Sequence, residues 1–145
     1  MLNSNINFFS ENISFVLKNK KMIRKWIFFA IDKEKKYSGI INYIFCNDAR
    51  LLSLNKTYLN RDTLTDILTF DYSEDNKISG DIFISIDRVK KNAKTFNVLF
   101  FNELQRIMIH GILHLIGYND KTDKEKIVMT QKEDYYLSLF YKNFM

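Results

Sequence analysis

The sequence predicts an α+β fold, in which a small mixed sheet of about four strands is covered by helices within one domain spanning residues 1–145. Short runs of β-branched and aromatic residues, which favour strands, are interspersed with longer segments whose apolar residues recur at helical spacing. These segments do not alternate regularly along the whole chain, a pattern typical of α+β folds. The length is ordinary for one domain, and 46% hydrophobic residues supply a core.

In chain order, the predicted elements are a strand at 5–9, a helix at 14–35, a strand at 39–46, a helix at 48–60, strands at 65–72 and 81–86, and helices from 87 to about 97, at 102–116 and at 124–141. The first strand alternates in polarity, and the helix after it has an apolar face made of Phe15, Ile23, Trp26, Ile27, Ala30 and Ile31. The second strand is a β-branched and aromatic run. Asn47 or Asp48 can cap the next helix, whose apolar side is formed by Leu51, Leu52, Leu54 and Leu59.

In the second half of the chain, the two strands are separated by a polar turn over residues 73–80, in which Gly80 is expected to shape the turn. The two strands are therefore expected to pair like a hairpin. The strand-end carboxylates Asp66 and Asp71 are expected to cap turns or to pair with nearby cations. Asp87 opens the next helix, and a break near Asn97 separates it from the two amphipathic helices that follow.

Charge and cysteine content restrict the compartment and the partners. The net charge of +5 arises in residues 1–50, which carry nine basic and four acidic side chains. The basic residues that could form a phosphate-attracting helix face, or simply a solvated one, are Lys18, Lys20, Lys21, Arg24, Lys25, Lys33, Lys35 and Lys36. The single cysteine, Cys46, permits no internal disulfide and is expected to be a buried, inert thiol. Since the sequence shows no secretion signal and no membrane-spanning run, we expect a cytoplasmic protein without a membrane partner.

The most informative segment is His110-Gly111-Ile112-Leu113-His114-Leu115-Ile116-Gly117-Tyr118-Asn119-Asp120, which contains both histidines of the chain. Residues four apart on a helix lie about 40° apart around its axis, so the two imidazoles share one face and can share one ion. Gly117 is typical of a helix end and lets the chain turn so that Asp120 reaches the same ion. Three protein ligands leave a fourth position for water, as in catalytic zinc sites.

The sequence therefore predicts a metal site of His110, His114 and Asp120, with zinc as the ion and manganese or another divalent metal as the alternative. The competing interpretation is a histidine pair that only packs on a helix. The helix is apolar on most of its sides, which argues against that interpretation, because stray buried imidazoles would need partners.

A divalent ion in such a site lowers the pKa of its bound water and polarises a phosphoryl or carbonyl oxygen, which favours hydrolysis. The spacing of the ligands resembles the zinc-binding helix of metzincin proteases, with Met129 as a candidate for the methionine beneath the metal. Those proteases place a glutamate directly after the first histidine as general base, whereas this chain has Gly111. Peptide cleavage is therefore disfavoured.

A second resemblance covers nearly the whole chain. The segment from His110 to Asp120 resembles the signature of the YbeY family of single-strand-specific endoribonucleases, which act in ribosomal RNA maturation. Three further blocks are similar to that family and occur in its order: Leu54-Asn55-Lys56-Thr57-Tyr58 with Asp62, Thr65-Asp66-Ile67-Leu68-Thr69-Phe70, and Gly80-Asp81-Ile82-Phe83-Ile84-Ser85. The resemblance implies an α+β sandwich, a zinc cofactor, and single-stranded RNA as substrate, including the 3′ end of small-subunit ribosomal RNA. Association with the small ribosomal subunit would follow, and no DNA partner is expected.

This chain departs from the family pattern at two positions. Asp120 stands where the family usually has a third histidine, which keeps a ligand type but leaves the metal's identity open. Leu59 stands where the family has an arginine thought to serve catalysis. Arg61 is expected to take a catalytic or phosphate-binding role if it lies in a loop or turn, and Tyr118 is expected to pack over the site or to stack on a base. The leading prediction is a zinc-dependent endoribonuclease, and the rival is a ribosome-assembly factor that binds RNA without cutting it.

Overall fold

The computed structural model describes residues 5–59 and 65–144. Within them the elements are β1 (Ile6–Ser10), α1 (Lys20–Lys33), β2 (Tyr37–Cys46), α2 (Asp48–Leu59), β3 (Ile67–Asp71), β4 (Lys77–Ser85), α3 (Ile86–Phe96), α4 (Phe100–Ile116) and α5 (Asp123–Asn143). The strands form one mixed sheet in the order β1-β2-β4-β3. The pairs β1–β2 and β2–β4 are parallel, and β3 pairs antiparallel with β4. The predicted α+β fold and the predicted hairpin are both confirmed.

The two faces of the sheet are covered by different helices. On one face α1 and α4 pack on the strands, and the fully buried side chains there include Trp26, Tyr43 and Ile82. On the other face α2 covers a smaller cluster made of Cys46, Leu51, Leu54 and Leu68. Helix α5 packs on the outside of α4. The helix that carries both histidines therefore lies between the sheet and α5.

Two glycines let α4 lie close to the sheet. A Cβ atom on Gly111 would lie 3.0 Å from a methyl group of Ile82, and one on Gly80 would lie 2.5 Å from the carbonyl oxygen of Phe70 and 2.9 Å from Leu115. Gly80 lies inside β4, opposite Asp71, so the expectation that it shapes a turn was wrong. Glycine is required at this position because the neighbouring strand and a side chain of α4 occupy the space that a Cβ atom would need.

Other differences from the predicted elements have local causes. Helix α1 begins at Lys20, six residues later than expected, because Asn19 directly before it adopts a left-handed backbone conformation with φ of 60°. Phe15 still reaches the core, where its ring packs edge-on against Phe45 at 5.0 Å. Strand β4 begins at Lys77, because a tight turn through Asp75 leaves a shorter connection than predicted.

Part of the basic N-terminal segment serves structure. Lys18 precedes α1. The guanidinium of Arg24 donates a 2.9 Å hydrogen bond to the carbonyl oxygen of Ile6 and lies over the ring of Phe8. Lys36 donates to the side-chain oxygen of Asn76. Of the predicted basic residues, Lys20, Lys21, Arg24, Lys25 and Lys33 lie on α1, and phosphate attraction by this face stays a prediction.

Candidate metal centre

The end of α4 brings the three predicted ligands together. Gly117 has a φ of 123°, and its N–H donates to the carbonyl oxygens of His114 and Leu113 at 3.0 and 3.1 Å. The N–H of Tyr118 donates to the carbonyl oxygen of Leu113 as well. These bonds close the last turn of the helix and reverse the chain. Asp120 is thereby folded back toward the two histidines, as the sequence predicted.

Three donor atoms converge on one point. The distance from His110 Nε2 to His114 Nε2 is 3.0 Å, and Asp120 Oδ2 lies 3.2 Å from the first and 3.3 Å from the second. Among the described residues, these three form the group able to share a metal ion. All three side chains are partly exposed, so the point on which they converge is open to solvent.

The spacing fits a zinc ion. Bonds of about 2.0–2.2 Å at tetrahedral angles put ligand atoms roughly 3.3–3.5 Å apart, within a few tenths of an ångström of the separations in this structure. Two imidazoles and one carboxylate are also a donor set that divalent transition metals accept. The residues present therefore fit the group that the motif implies.

Glu133 of α5 orients the first histidine. Its Oε2 lies 2.7 Å from His110 Nδ1, and its other oxygen accepts a 2.8 Å bond from Arg106. With its Nδ1 proton donated to this carboxylate, neutral His110 would present the lone pair of Nε2 to a bound ion. Arg106 also donates to Asp134 at 2.7 Å, which fixes the guanidinium from a second side.

Sequence reasoning missed Glu133, although a signal for it was present. The buried residues of α5 are Met129, Glu133, Tyr136 and Phe140, which recur at helical spacing. A carboxylate on an otherwise apolar stripe needs a buried partner, and the partner here is a histidine of the neighbouring helix.

The charges around His110 change its protonation. Desolvation by burial lowers the pKa of His110, but the hydrogen bond and charge of Glu133, with the charges of Asp120 and Asp66, outweigh it, so the pKa is raised above its ordinary value. Protons therefore compete with a metal for this imidazole more strongly than at an unperturbed histidine.

A cavity of about 310 Å³ opens beside His110 and Asp120. Its charged lining consists of Asp66, Glu103, Asp120, Glu133 and Arg106. Burial raises the pKa of Glu103, and Asp66 and Glu133 raise it further against the opposing charge of Arg106. The lining thus holds four carboxylates and one guanidinium, which attract a cation and repel an anion in its absence.

Tyr118 is bonded to the end of α1. Its hydroxyl donates a 2.6 Å hydrogen bond to Glu34 at the end of α1, and the ammonium of Lys132 lies 5.5 Å from its ring centre. The ring packs against the main core. A role for Tyr118 in stacking on a base stays a prediction.

A model of the endoribonuclease YbeY family matches residues 5–141. The chain belongs to this family. It is 48% identical over 140 residues to an endoribonuclease YbeY of Karelsulcia muelleri, covering 97% of this chain and 99% of that one. It is 49% identical over 133 residues to the YbeY of Flavobacterium psychrophilum, covering 92% and 95%. A Thermotoga maritima protein whose structure was determined in solution superposes with a TM-score of 0.67 at 29% identity, covering 94% of this chain and 89% of that one.

The match confirms the predicted family and, with it, the prediction of an enzyme of the endoribonuclease class. The structure also explains why this chain has glycine where metzincin proteases have their general base. Gly111 faces the methyl groups of Ile82 and Ile67 on the sheet, so a side chain at this position would meet the core and not the ion. Within the described residues, none of the helices combines the length and apolarity needed to cross a bilayer.

The predicted catalytic residue is Arg61, which comes two residues after Leu59 in the sequence. Helix α2 ends at Leu59, whose side chain is 43% exposed and does not join the apolar side that was predicted for this helix. Arg61 lies outside the described residues, so its catalytic and phosphate-binding roles stay predictions. Among the described residues, Arg106 is the arginine that lines the cavity beside His110.

Proposed function

We propose that this protein is a zinc-dependent endoribonuclease specific for single-stranded RNA, which acts in ribosomal RNA processing, including maturation of the small-subunit RNA 3′ end, and in ribosome biogenesis. The observation that carries the proposal is the convergence of His110, His114 and Asp120, at 3.0–3.3 Å, beside an open cavity. Family membership supports RNA as the substrate. Manganese or another divalent metal is the alternative, because a carboxylate ligand admits harder ions.

A bound zinc ion supplies Lewis acidity, which activates water and stabilises negative charge on a phosphate. The chain's own residues prepare the place where this happens. Glu133 holds His110 in the ligating tautomer, and the Gly117 turn holds Asp120 toward the same point.

Because the lining of the cavity is mainly anionic, we expect RNA to bind there only when a cation is also bound. Its four carboxylates outnumber its single guanidinium, so the lining as a whole repels a phosphodiester backbone, and one of these carboxylates is the ligand Asp120. A divalent ion offsets that charge at the point where the strand must be cut. Removal of the metal is therefore expected to weaken RNA binding at this site as well as cleavage.

Arg61 is proposed to contact the scissile phosphate. The proposal rests on the sequence alone, where Arg61 lies two residues after Leu59, the position of the family arginine. Loss of cleavage in Arg61→Ala, with the melting temperature and zinc content of the wild type, would support it. Unchanged cleavage would exclude it.

The rival function is RNA binding without cleavage, in ribosome assembly, with the ion ordering the last helices. One observation favours it: an exposed leucine, Leu59, stands in place of the family arginine. The two functions differ in the fate of bound RNA.

The test uses purified protein loaded with one equivalent of zinc, with or without a chelator. The substrates are labelled single-stranded RNA, the same RNA as a duplex, a small-subunit precursor RNA with an unprocessed 3′ end, and a peptide. The variants are His114→Ala and Asp120→Ala, with Asp123→Ala as the matched control, because Asp123 is exposed on the first turn of α5 and outside the ligand group.

Under the proposal, single-stranded RNA and the precursor are cut, and the duplex and peptide are not. Chelator, His114→Ala and Asp120→Ala abolish cleavage, and Asp123→Ala keeps it. Tight binding to RNA or to ribosomes in every metal state without any cleavage would instead establish the assembly factor. Metal-dependent peptide cleavage would overturn both.

A further inference from the structure

Glu34 is a buried carboxylate that joins three parts of the fold. It follows the last residue of α1, and its side chain is 9% exposed. It accepts hydrogen bonds from Tyr118 at 2.6 Å, from Lys132 at 3.0 Å and from the hydroxyl of Tyr136. Tyr118 lies in the turn after α4, whereas the other two donors lie on α5.

The position of this carboxylate is not explained by its own helix. A negative charge at a helix C-terminus opposes the helix dipole, so α1 alone disfavours a glutamate there. Burial alone also disfavours its ionised form. The three donors reverse this preference and hold the pKa of Glu34 below its ordinary value.

The donor that matters for the metal centre is Tyr118, two residues before Asp120. The chain from Gly117 to Asp120 leaves the helix and is anchored at its start by backbone bonds to Leu113 and His114. The Tyr118–Glu34 bond adds a long-range anchor in the middle of this turn, and Lys132 covers the same ring. The next residue of α5, Glu133, holds His110.

We propose that Glu34 is a positioning residue for the metal centre, which fixes the turn carrying Asp120 by accepting the hydrogen bond of Tyr118. The inference rests on the proposed metal site of His110, His114 and Asp120. Glu34 acts on the third ligand as Glu133 acts on the first, but through the backbone of the turn instead of a direct bond to the ligand.

The test compares two variants that each delete one hydroxyl from the same acceptor. Tyr118→Phe removes the bond to the metal turn, and Tyr136→Phe removes a bond that stays within α1 and α5. Zinc affinity is measured by competition with a chromophoric chelator, and amide hydrogen exchange at Asn119 and Asp120 is measured in the metal-free protein. Both variants are also made in an Asp120→Ala background.

Tyr118→Phe is expected to weaken zinc binding by about 10-fold or more, as is typical when support of a metal ligand is lost, and to speed exchange at Asn119 and Asp120. Tyr136→Phe is expected to lower the melting temperature while zinc affinity stays within about twofold. In the Asp120→Ala background, Tyr118→Phe should add no further loss of affinity, because the ligand it positions is already gone.

Equal zinc affinity in Tyr118→Phe and the wild type would refute this inference and leave the metal centre standing. So would an equal loss in the two tyrosine variants, since it would reflect general destabilisation. A wild-type protein that binds no zinc would refute the metal centre and, with it, the positioning role.

Discussion

Replacing Glu133 by glutamine tests how the centre is organised. In the structure both carboxylate oxygens act as acceptors, one for the His110 Nδ1 proton at 2.7 Å and one for Arg106 at 2.8 Å. Glutamine has nearly the same shape but only one acceptor oxygen. It must therefore either lose the bond from Arg106 or present its NH₂ group to His110. If the NH₂ group faces His110, Nδ1 must accept the hydrogen bond and the ring proton lies on Nε2. The protonated Nε2 cannot bind a metal.

The magnitude follows from the position of this pair. Glu133 is 9% exposed, so the lost bond is not readily replaced by water. Loss of a group that orients a ligand typically weakens metal binding by about 10- to 100-fold, or roughly 1.4–2.7 kcal/mol. Asp134 provides the matched control. It binds the same arginine but is 59% exposed, and such surface pairs contribute about 0–1 kcal/mol.

Zinc affinity is measured by chelator competition at one pH for the wild type, Glu133→Gln and Asp134→Asn, with melting temperatures of the metal-free proteins. We expect a loss of affinity in Glu133→Gln alone, within the range above. If Glu133→Gln bound zinc as tightly as the wild type, His110 would not depend on Glu133 for its orientation and the reasoning would be wrong. A loss of the same size in Asp134→Asn would point to disruption of the Arg106 network as a whole.

Four further outcomes are expected. Because the pKa of His110 is raised and zinc binds the neutral ring, zinc affinity should fall by about tenfold per pH unit below that pKa in a titration by chelator competition. In the metal-free protein, the raised pKa of His110 should stabilise the fold fully below pH 6.5, the ordinary pKa of histidine. This stabilisation should be lost as the pH rises through the raised pKa, and urea unfolding at several pH values would measure it. Burial raises the pKa of Cys46 to about 12, so a thiol reagent at pH 8 should label it only after unfolding, and rapid labelling of the native protein would contradict its placement. Gly80→Ala should lower the free energy of unfolding by about 1–3 kcal/mol, because its Cβ would lie 2.5 Å from the Phe70 carbonyl oxygen, and unaltered urea stability would contradict that contact.

The periodicity of apolar residues predicted most of the helices and strands, because each of them buries one face and the residues of that face recur at a regular spacing. Where it failed, the backbone conformation of single residues decided the outcome. Phe15 has the apolar spacing of α1, yet the left-handed conformation of Asn19 interrupts the predicted helix, which begins only at Lys20. Gly80 carries the usual signal of a turn, and only the packed fold shows that the strand beside it and a leucine of α4 require its small size.

The convergence of His110, His114 and Asp120 was predictable because they lie within eleven residues of one another and their geometry follows from one helix and one turn. Their supporting groups were not. Glu133 lies 23 residues from the histidine it orients, and Glu34 lies 84 residues from Tyr118. Such pairs form only through packing of separate elements, so local spacing can mark Glu133 as a carboxylate on a buried stripe but does not identify its partner.

The arrangement of α5 has a consequence for how the protein matures during synthesis. A nascent chain that has emerged as far as Asp120 already contains His110, His114 and Asp120, but it lacks Glu133 and Lys132. Such a chain would hold an ion loosely and could exchange it with the surrounding pool. Under the proposed metal site, secure retention of the ion therefore requires α5 to have docked on α4.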